Sequence, residues 1–175
     1  MLLSPDGKLV AGYFISPTES AYRMVYIWNL EIGQQQKFEA EIYQDWRFSA
    51  DSKLLSFTAI ADKGKATERS IAEVWDAHAA KRLKAIEIPR AWRGAYTVAF
   101  SPDSKLLAVG GYRKFGIFSI ETGQLLASET HYSGSLFQDS EIPNQLEHVE
   151  FSPDGKLLLT GGNDNTVKLW RIERQ

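Results

Sequence analysis

The chain has 175 residues, of which 43% are hydrophobic and 24% are charged, and its formal net charge is −2. This length allows one domain with a buried core, the composition is that of a globular protein, and the small charge argues against a nucleic-acid-binding or membrane-binding surface. The absence of cysteine excludes disulfides and thiolate chemistry, and without a signal peptide or an apolar run of roughly 20 residues we expect a cytoplasmic protein.

A turn motif recurs four times along the chain. It reads LSPDGKL, FSADSKL, FSPDSKL and FSPDGKL, and its serines occupy positions 4, 49, 101 and 152. The steps between these serines are therefore 45, 52 and 51 residues. Periods near roughly 40–50 residues are typical of propeller blades rather than of helical repeats. We divide the chain accordingly into four repeats, at about 1–40, 41–89, 93–130 and 146–175.

Each motif is flanked by two predicted strands. Before the turn, apolar residues alternate with polar ones, as at Trp46 and Phe48, which is typical of a strand with one buried face. Proline fixes φ and glycine tolerates a positive φ, so Ser-Pro-Asp-Gly-Lys predicts a tight turn. Ser52 and Ser104 replace this glycine in the middle copies, at a small conformational cost. An apolar strand such as KLLLTGG follows.

Two further strands complete each repeat. The third predicted strand ends at an aromatic residue, and a second turn leads to a more polar fourth strand. A sheet of this size with apolar residues on both faces must stack on a neighbour to bury them. The sequence therefore predicts an all-β fold of radially stacked, four-stranded antiparallel sheets. The closing aromatic residues of the four third strands are Trp28, Trp75, Phe118 and Trp170.

This pattern resembles the WD40-repeat β-propeller family. The resemblance is closest in FSPDGKLLLTGGNDNTVKLW, residues 151–170, and it covers nearly all of the chain in four units. It implies a single partial propeller over residues 1–175, with about four blades of which the first and the last are incomplete. The family's Trp-Asp pair occurs literally once, as Trp75-Asp76, and its Gly-His pair is missing from every copy.

The resemblance also implies a buried set of hydrogen-bonding side chains in each blade: a histidine, a serine or threonine, an aspartate and a tryptophan. The last copy offers Thr160, Asp164 and Trp170. The copy itself offers no well-placed histidine; His131 is a candidate to stand in, but an insertion separates it from the strand that ends at Phe151. We therefore expect this set to be incomplete.

The first copy has only three residues before its turn, and the last copy stops after its third strand. We expect the ring to be completed either by missing blades of the same polypeptide, which we favour, or by a second chain that closes a ring of about eight blades. Free blade faces are an aggregation liability.

Three insertions lengthen the loops: ISPTESAYR, AIADKGKATERS and HYSGSLFQDSEIPNQ. Because neighbouring strands alternate in direction, all three are predicted on one rim. Tyrosine, tryptophan and arginine anchor many protein interfaces, so this rim is a candidate partner-binding face. The alternative interpretation is that these are simply long surface loops. The candidate residues are Tyr22, Arg23, Lys63, Lys65, Arg69, Trp92, Arg93, Tyr132 and Phe137.

The sequence gives little support for catalysis. His78, His131 and His148 lack metal-ligand spacing, and GKAT at residues 64–67 lacks the leading glycine of a phosphate loop. GGNDNT lacks the closing glutamate of a calcium loop. We therefore predict no catalytic residue, no metal and no cofactor.

The leading prediction is a non-catalytic scaffold module that binds a protein or peptide, and neither nucleic acid nor membrane. One alternative is a regulatory or sensor segment of a larger protein, fused to an upstream NTPase, kinase or protease. A less favoured alternative is a propeller enzyme with an axial pocket.

Overall fold

The computed structural model describes residues 1–15, 23–132 and 145–173. Every turn motif joins two antiparallel strands in these residues, as the alternation of apolar residues predicts. The described part of the chain contains no α-helix, only a short 3-10 helix at Arg90–Trp92. It contains no helix long and apolar enough to cross a membrane. The prediction of an all-β fold is confirmed.

The strands form four separate sheets, which we call blades 1 to 4. Blade 1 comprises β1 (Leu2–Leu3), β2 (Leu9–Ile15), β3 (Arg23–Asn29) and β4 (Gln34–Ala40). Blade 2 comprises β5 (Ile42–Phe48), β6 (Leu54–Ala61), β7 (Arg69–Asp76) and β8 (Lys81–Glu87). Blade 3 comprises β9 (Thr97–Phe100), β10 (Leu106–Gly110), β11 (Lys114–Ser119) and β12 (Leu125–Thr130). Blade 4 has three strands in the described residues, β13 (Leu146–Phe151), β14 (Leu157–Gly162) and β15 (Val167–Arg171).

Within each blade the strands are antiparallel and follow chain order from one edge to the other. The first strands of successive blades contact one another, β1 with β5, β5 with β9, and β9 with β13. They therefore form the inner edge of a radial arrangement. The fourth strands lie at the outer edge and are largely exposed, which fits their more polar sequence.

The blades are held together by one repeated apolar interface. On the third strand of blade 1, Val25 and Ile27 are buried in the same cluster as Trp75 of blade 2. Alternate residues of a strand point to opposite faces, so each third strand turns one face to the following blade and its closing aromatic to the preceding blade. The pattern repeats between blades 2 and 3 with Ala72, Val74 and Phe118, and between blades 3 and 4 with Phe115, Ile117 and Trp170.

The outward faces of the first and last blades each carry one side of this interface without the other. Blade 4 has the apolar pair of its third strand, and blade 1 has the closing aromatic residue. In blade 4, Val167 and Leu169 occupy the positions of Val25 and Ile27, but they are 69% and 63% exposed. In blade 1, the ring of Trp28 stacks on Tyr26 of its own strand instead of on a preceding blade. These two faces are therefore apolar surfaces without a partner blade among the described residues.

The four turns share one set of hydrogen bonds. In each, the serine Oγ donates to the aspartate Oδ1 at 2.6 Å, and the same Oγ accepts the N–H of the residue that opens the next strand. Each aspartate also accepts the N–H of the lysine. The motif therefore closes each turn by side-chain bonds as well as by backbone conformation.

Ser52 and Ser104, which replace glycine in two turns, adopt positive φ values of 62° and 56°. Their hydroxyls join neighbouring blades: Ser52 Oγ accepts the Asp6 N–H at 3.1 Å, and Ser104 Oγ donates to Asp51 Oδ1 at 3.3 Å. The conformational cost expected from the sequence is thus offset by a bond between blades.

Candidate partner-binding face

Two kinds of loop lie on one side of the molecule. Because strands alternate in direction, the loops between second and third strands and the connections between blades emerge on the same side, which we call the loop face. Backbone bonds between the two kinds of loop agree, since Tyr112 N–H donates to Trp92 O and His131 N–H donates to Arg113 O, both at 2.8 Å. The turn motifs lie on the opposite side.

In blade 2, three of the predicted residues lie at the loop face. Lys63 and Lys65 are exposed in the loop after β6, and Lys65 Nζ is 3.8 Å from Asp62 Oδ1. Arg69 is already neutralised: its Nη1 lies 2.8 Å from Asp62 Oδ2 and its Nε lies 2.9 Å from Glu87 Oε1. Arg69 thus ties this loop to the outer strand of its own blade.

Trp92 is not part of a partner-binding surface. Its side chain is 3% exposed and packs edge-on against Phe118, with the ring centroids 6.0 Å apart. Gly116 makes room for the ring, since a Cβ there would lie 2.4 Å from the Trp92 ring. The prediction for Trp92 is therefore wrong: the indole anchors the connection between blades 2 and 3 in the core.

Arginine and tyrosine form two stacked pairs on the loop face. The guanidinium carbon of Arg93 lies 5.4 Å from the centre of the Tyr112 ring, and that of Arg113 lies 4.7 Å from the centre of the Tyr132 ring. Such cation–π contacts orient the guanidinium groups. The structure thus places Arg93 and Tyr132 on one face, beside two residues that the sequence analysis did not identify.

Tyr112 and Arg113 were missed because their loop is short. The sequence analysis searched insertions, whereas this loop spans only 111–113 between β10 and β11. A search of every loop at the same position of the repeat for arginine and tyrosine would have found them. Of the remaining candidates, Tyr22 and Phe137 lie outside the described residues, and Arg23 begins β3.

The side chain of His131 completes the hydrogen-bonded set of blade 4. Its Nδ1 lies 2.7 Å from Thr160 Oγ1, which also accepts the Trp170 Nε1–H at 2.7 Å. The expectation that this blade lacks a well-placed histidine is wrong. His131 is the first residue of the insertion that follows β12, and it already lies over β14.

The other ring nitrogen of His131 reaches the aspartate through a hydroxyl. His131 Nε2 is 2.9 Å from Thr166 Oγ1, and that hydroxyl donates to Asp164 Oδ1 at 2.8 Å. Because the Thr166 proton is used by Asp164, its oxygen must accept from His131, which assigns a proton to Nε2 of the ring. Burial, only partly opposed by the charge of Asp164, lowers the pKa of His131 in agreement with the neutral form.

The other blades replace this set. Gly12, Phe57 and Val109 stand where blade 4 has Thr160, nine residues after the residue that precedes the turn serine. In blade 2, the Trp75 Nε1–H donates instead to Glu73 Oε2 at 2.7 Å. Glu73 is 6% exposed, and its other oxygen is 3.0 Å from Nη1 of Arg82 on the outer strand.

In blades 1 and 2, the residue after the closing aromatic shapes the next turn. Asp76 Oδ1 accepts the N–H groups of His78 and Ala79, at 2.9 and 2.8 Å. Asn29 does the same in blade 1, accepting from Glu31 and Ile32. Asparagine can stand in for aspartate here because either side chain supplies the acceptor oxygen.

Near the inner edge, a cleft of about 430 Å³ is lined by residues of β5, β9 and β13. Its titratable residues are Arg47, His148 and Glu150, and His148 Nε2 lies 3.1 Å from Glu150 Oε2. Both side chains of this pair are exposed, at 45% and 68%. No group of three or more histidine, aspartate or glutamate side chains suited to a metal ion occurs within the described ranges.

The sequence matches a known repeat. The family model "WD domain, G-beta repeat" matches residues 140–171. The chain is 29% identical to the guanine nucleotide-binding protein subunit beta of Schizosaccharomyces pombe over 114 residues, 62% of this chain and 32% of that protein. It is 34% identical to the protein groucho of Drosophila melanogaster over 106 residues, 60% of this chain and 13% of that protein. It is 36% identical to the protein HIR1 of Kluyveromyces lactis over 86 residues, 45% of this chain and 10% of that protein.

A solved structure shares the fold. A chain of the mitotic checkpoint complex superposes with a TM-score of 0.67 at 19% identity, over 97% of this chain and 44% of that chain. The present chain thus spans less than half of the length of each of these four proteins. The radial blades with a common inner edge define a β-propeller. The turn motifs, the repeat matched at residues 140–171 and the related sequences support membership of the WD40-repeat family.

Proposed function

We propose that this chain is a non-catalytic interaction module that binds a protein or peptide through its loop face. The observation that carries the proposal is the pair of stacked arginine–tyrosine contacts on neighbouring loops, Arg93 with Tyr112 and Arg113 with Tyr132. Arginine and tyrosine are enriched among residues that dominate binding energy. Two of the similar proteins are named as parts of assemblies, which supports this function: the guanine nucleotide-binding protein subunit beta is a subunit, and the solved structure is a chain of the mitotic checkpoint complex.

The rigidity of these loops also supports a binding role. The loop of blade 3 is held from both sides, because Tyr112 N–H donates to Trp92 O at 2.8 Å and Leu146 N–H donates to Gly111 O at 3.1 Å. A preformed surface loses little conformational entropy when a partner binds. The arginines are therefore presented on a fixed frame.

Our proposal excludes catalysis by the described residues. The histidine–glutamate pair in the inner cleft, His148 and Glu150, is exposed, and the buried histidine, His131, is fully engaged by two threonine hydroxyls. Nucleophilic or acid–base chemistry needs a base that is oriented by a third group and faces an open site. A cytoplasmic location stays a prediction from the sequence.

We further infer that the unmatched faces of blades 1 and 4 are covered by additional blades, supplied by the same polypeptide or by a second chain. Leu169 is 63% exposed and Met1 is 93% exposed on these faces. An interface like those inside the molecule would bury them, and burial of apolar area is the main force that joins blades.

The binding proposal is tested by quantitative affinity capture with variants of each face. The double variant Arg113→Ala/Tyr132→Ala should lose a set of proteins that the unmodified chain retains from a cell extract. The matched variant Lys53→Ala/Lys105→Ala changes two exposed residues on the turn side and should keep that set. Equal capture by both double variants would contradict a partner site on the loop face.

A further inference from the structure

A groove on the loop face lies between blade 2 and the connection to blade 3. It has a volume of about 220 Å³ and runs along the start of β7 and the segment after β8. Ile88 and Pro89 supply apolar surface to its lining. The charged residues around it are three arginines, Arg69, Arg90 and Arg93, and one acid, Glu68.

Two of the three arginines at the groove have no ion-pair partner among the described residues. Arg69 is paired with Asp62 and Glu87, and Glu68 accepts the Gly64 N–H at 2.7 Å. Within residues 1–15, 23–132 and 145–173, Arg90 and Arg93 have no carboxylate partner. The guanidinium groups of Arg90 and Arg93 are therefore available to carboxylates of a partner.

These two arginines belong to one fixed turn. Arg90 begins the 3-10 turn, and Arg93 caps its C-terminal end in a left-handed conformation. The turn is closed by bonds from Trp92 N–H to Pro89 O and from Arg93 N–H to Arg90 O, and the buried Trp92 ring fixes it from below. Arg93 has a φ of 50°, a conformation that glycine adopts at less cost.

The positive charge continues onto the next loops. Arg93 stacks on Tyr112 of blade 3, and Arg113 stacks on Tyr132 at the start of the connection to blade 4. Arg90 and Arg93 precede β9 and Arg113 precedes β11, so all three stand on loop-face segments of blade 3, and we call them the arginine row. A row of separated single charges matches a string of carboxylates better than it matches one compact dianion such as phosphate.

We propose that this row and the groove beside it bind an extended, acidic segment of a partner protein, rich in glutamate or aspartate. The inference rests on the proposed binding function and specifies the chemistry of the partner. Arginine guanidinium groups donate two parallel hydrogen bonds to a carboxylate, and the stacking tyrosines orient Arg93 and Arg113 before binding. The apolar floor at Ile88 and Pro89 receives the aliphatic parts of the segment.

The test uses a fluorescein-labelled decapeptide of glutamate and measures its binding by fluorescence anisotropy at low salt. The double variant Arg90→Gln/Arg93→Gln should weaken binding about tenfold. The matched variant Lys105→Gln/Lys156→Gln removes the same charge from exposed residues on the turn side, and it should change binding by less than about twofold. Thermal unfolding followed by circular dichroism verifies that both variants fold.

Equal weakening by the two double variants would overturn the inference, because the attraction would then follow net charge alone. Tighter binding of a phosphoserine decapeptide without carboxylates would also overturn it, in favour of a phosphorylated partner. A failure of the proposed function looks different. If the glutamate peptide binds as expected while capture does not depend on Arg113 and Tyr132, the acidic site stands and the broader loop-face proposal fails.

Discussion

His131 Nδ1 lies 2.7 Å from Thr160 Oγ1, so that the connection leaving blade 3 is bonded to the second strand of blade 4. Both residues are buried, at 2% and 0% exposure. A buried hydrogen bond between two blades does more than close a turn, because it couples the position of one blade to that of the next. The set in blade 4 therefore makes a specific contribution to stability.

We expect His131→Ala to lower the free energy of unfolding by about 2 kcal/mol, because it leaves the buried Thr160 hydroxyl without its histidine partner. The measurement is urea denaturation followed by tryptophan fluorescence. The control is His148→Ala, whose side chain is 45% exposed and pairs only with the exposed Glu150, and which should change stability by less than about 0.5 kcal/mol. If both variants lower the free energy of unfolding by the same amount, the hydrogen-bonded set of blade 4 makes no specific contribution to stability.

The same histidine predicts a dependence of stability on pH. Burial lowers the pKa of His131 below 6.5, and Lys168 lowers it further, although Asp164 raises it. Between the folded and unfolded pKa values the unfolded state binds more protons. The free energy of unfolding is therefore fully retained above about pH 6.5 and falls as the pH drops through the range below it.

Unfolding free energies measured at pH 7.5 and pH 5 check this prediction, with His131→Gln as the variant that removes the titrating group. The carboxylates of Asp6 and Asp154 do not interfere, because hydrogen bonds from Ser4 and Ser152 lower their pKa values below 3.8. Their contribution is lost only at lower pH. An unchanged slope in His131→Gln would assign the pH dependence to another group.

The sequence predicted the strands well because the relevant signals are local. Alternation and the turn motif specify each hairpin within about ten residues, and the bonds of Ser4 with Asp6 are repeated in every turn. The repeat then specifies blade stacking, because Trp75 and Phe118 recur at matching positions. This is why the architecture could be predicted without any long-range information.

The features that were missed depend on contacts between distant segments. His131 was discounted because an insertion separates it from β13. A long connection costs little closure entropy, however, so a residue at its start can still pack against the following blade. The burial of Trp92 depends on the space left by Gly116 on another strand. Neither contact leaves a periodic trace in the sequence.

Trp92 provides a direct test of that distinction. Trp92→Ala should lower the free energy of unfolding by about 3–5 kcal/mol, because a large side chain is removed from the core between blades 2 and 3. Arg93→Ala removes the neighbouring exposed side chain and should cost less than about 1 kcal/mol. The comparison is made by thermal and urea unfolding. If Trp92→Ala lowers the unfolding free energy only slightly, the indole does not contribute to the core and the interpretation of Trp92 as a core residue is wrong.

The turn serines allow strain and hydrogen bonding to be separated. Ser52→Gly relieves the positive φ but removes the acceptor for Asp6 N–H, so its effect on the unfolding free energy should stay within about 0.5 kcal/mol. Ser52→Ala removes the acceptor and keeps the strain, and should cost about 1 kcal/mol. Gly7→Ala is the reference for strain alone, because φ is 73° and no atom lies within 4 Å of a Cβ there. The difference in unfolding free energy between Ser52→Ala and Ser52→Gly should equal the loss caused by Gly7→Ala. If the two residue-52 variants are equally stable, the serine is not strained.

The two apolar faces of the molecule lead to a final prediction. Ile27 of blade 1 and Leu169 of blade 4 hold the same place in the repeat, but Ile27 is 3% exposed and Leu169 is 63% exposed. In the 175-residue chain at low concentration, Ile27→Ala should cost about 2–5 kcal/mol and Leu169→Ala less than about 1 kcal/mol. At high concentration a second chain that covers blade 4 would raise the cost of Leu169→Ala and shift the sedimentation coefficient together. If Leu169→Ala is mild at every concentration and the chain stays monomeric, closure of the ring by a second copy of this chain is contradicted.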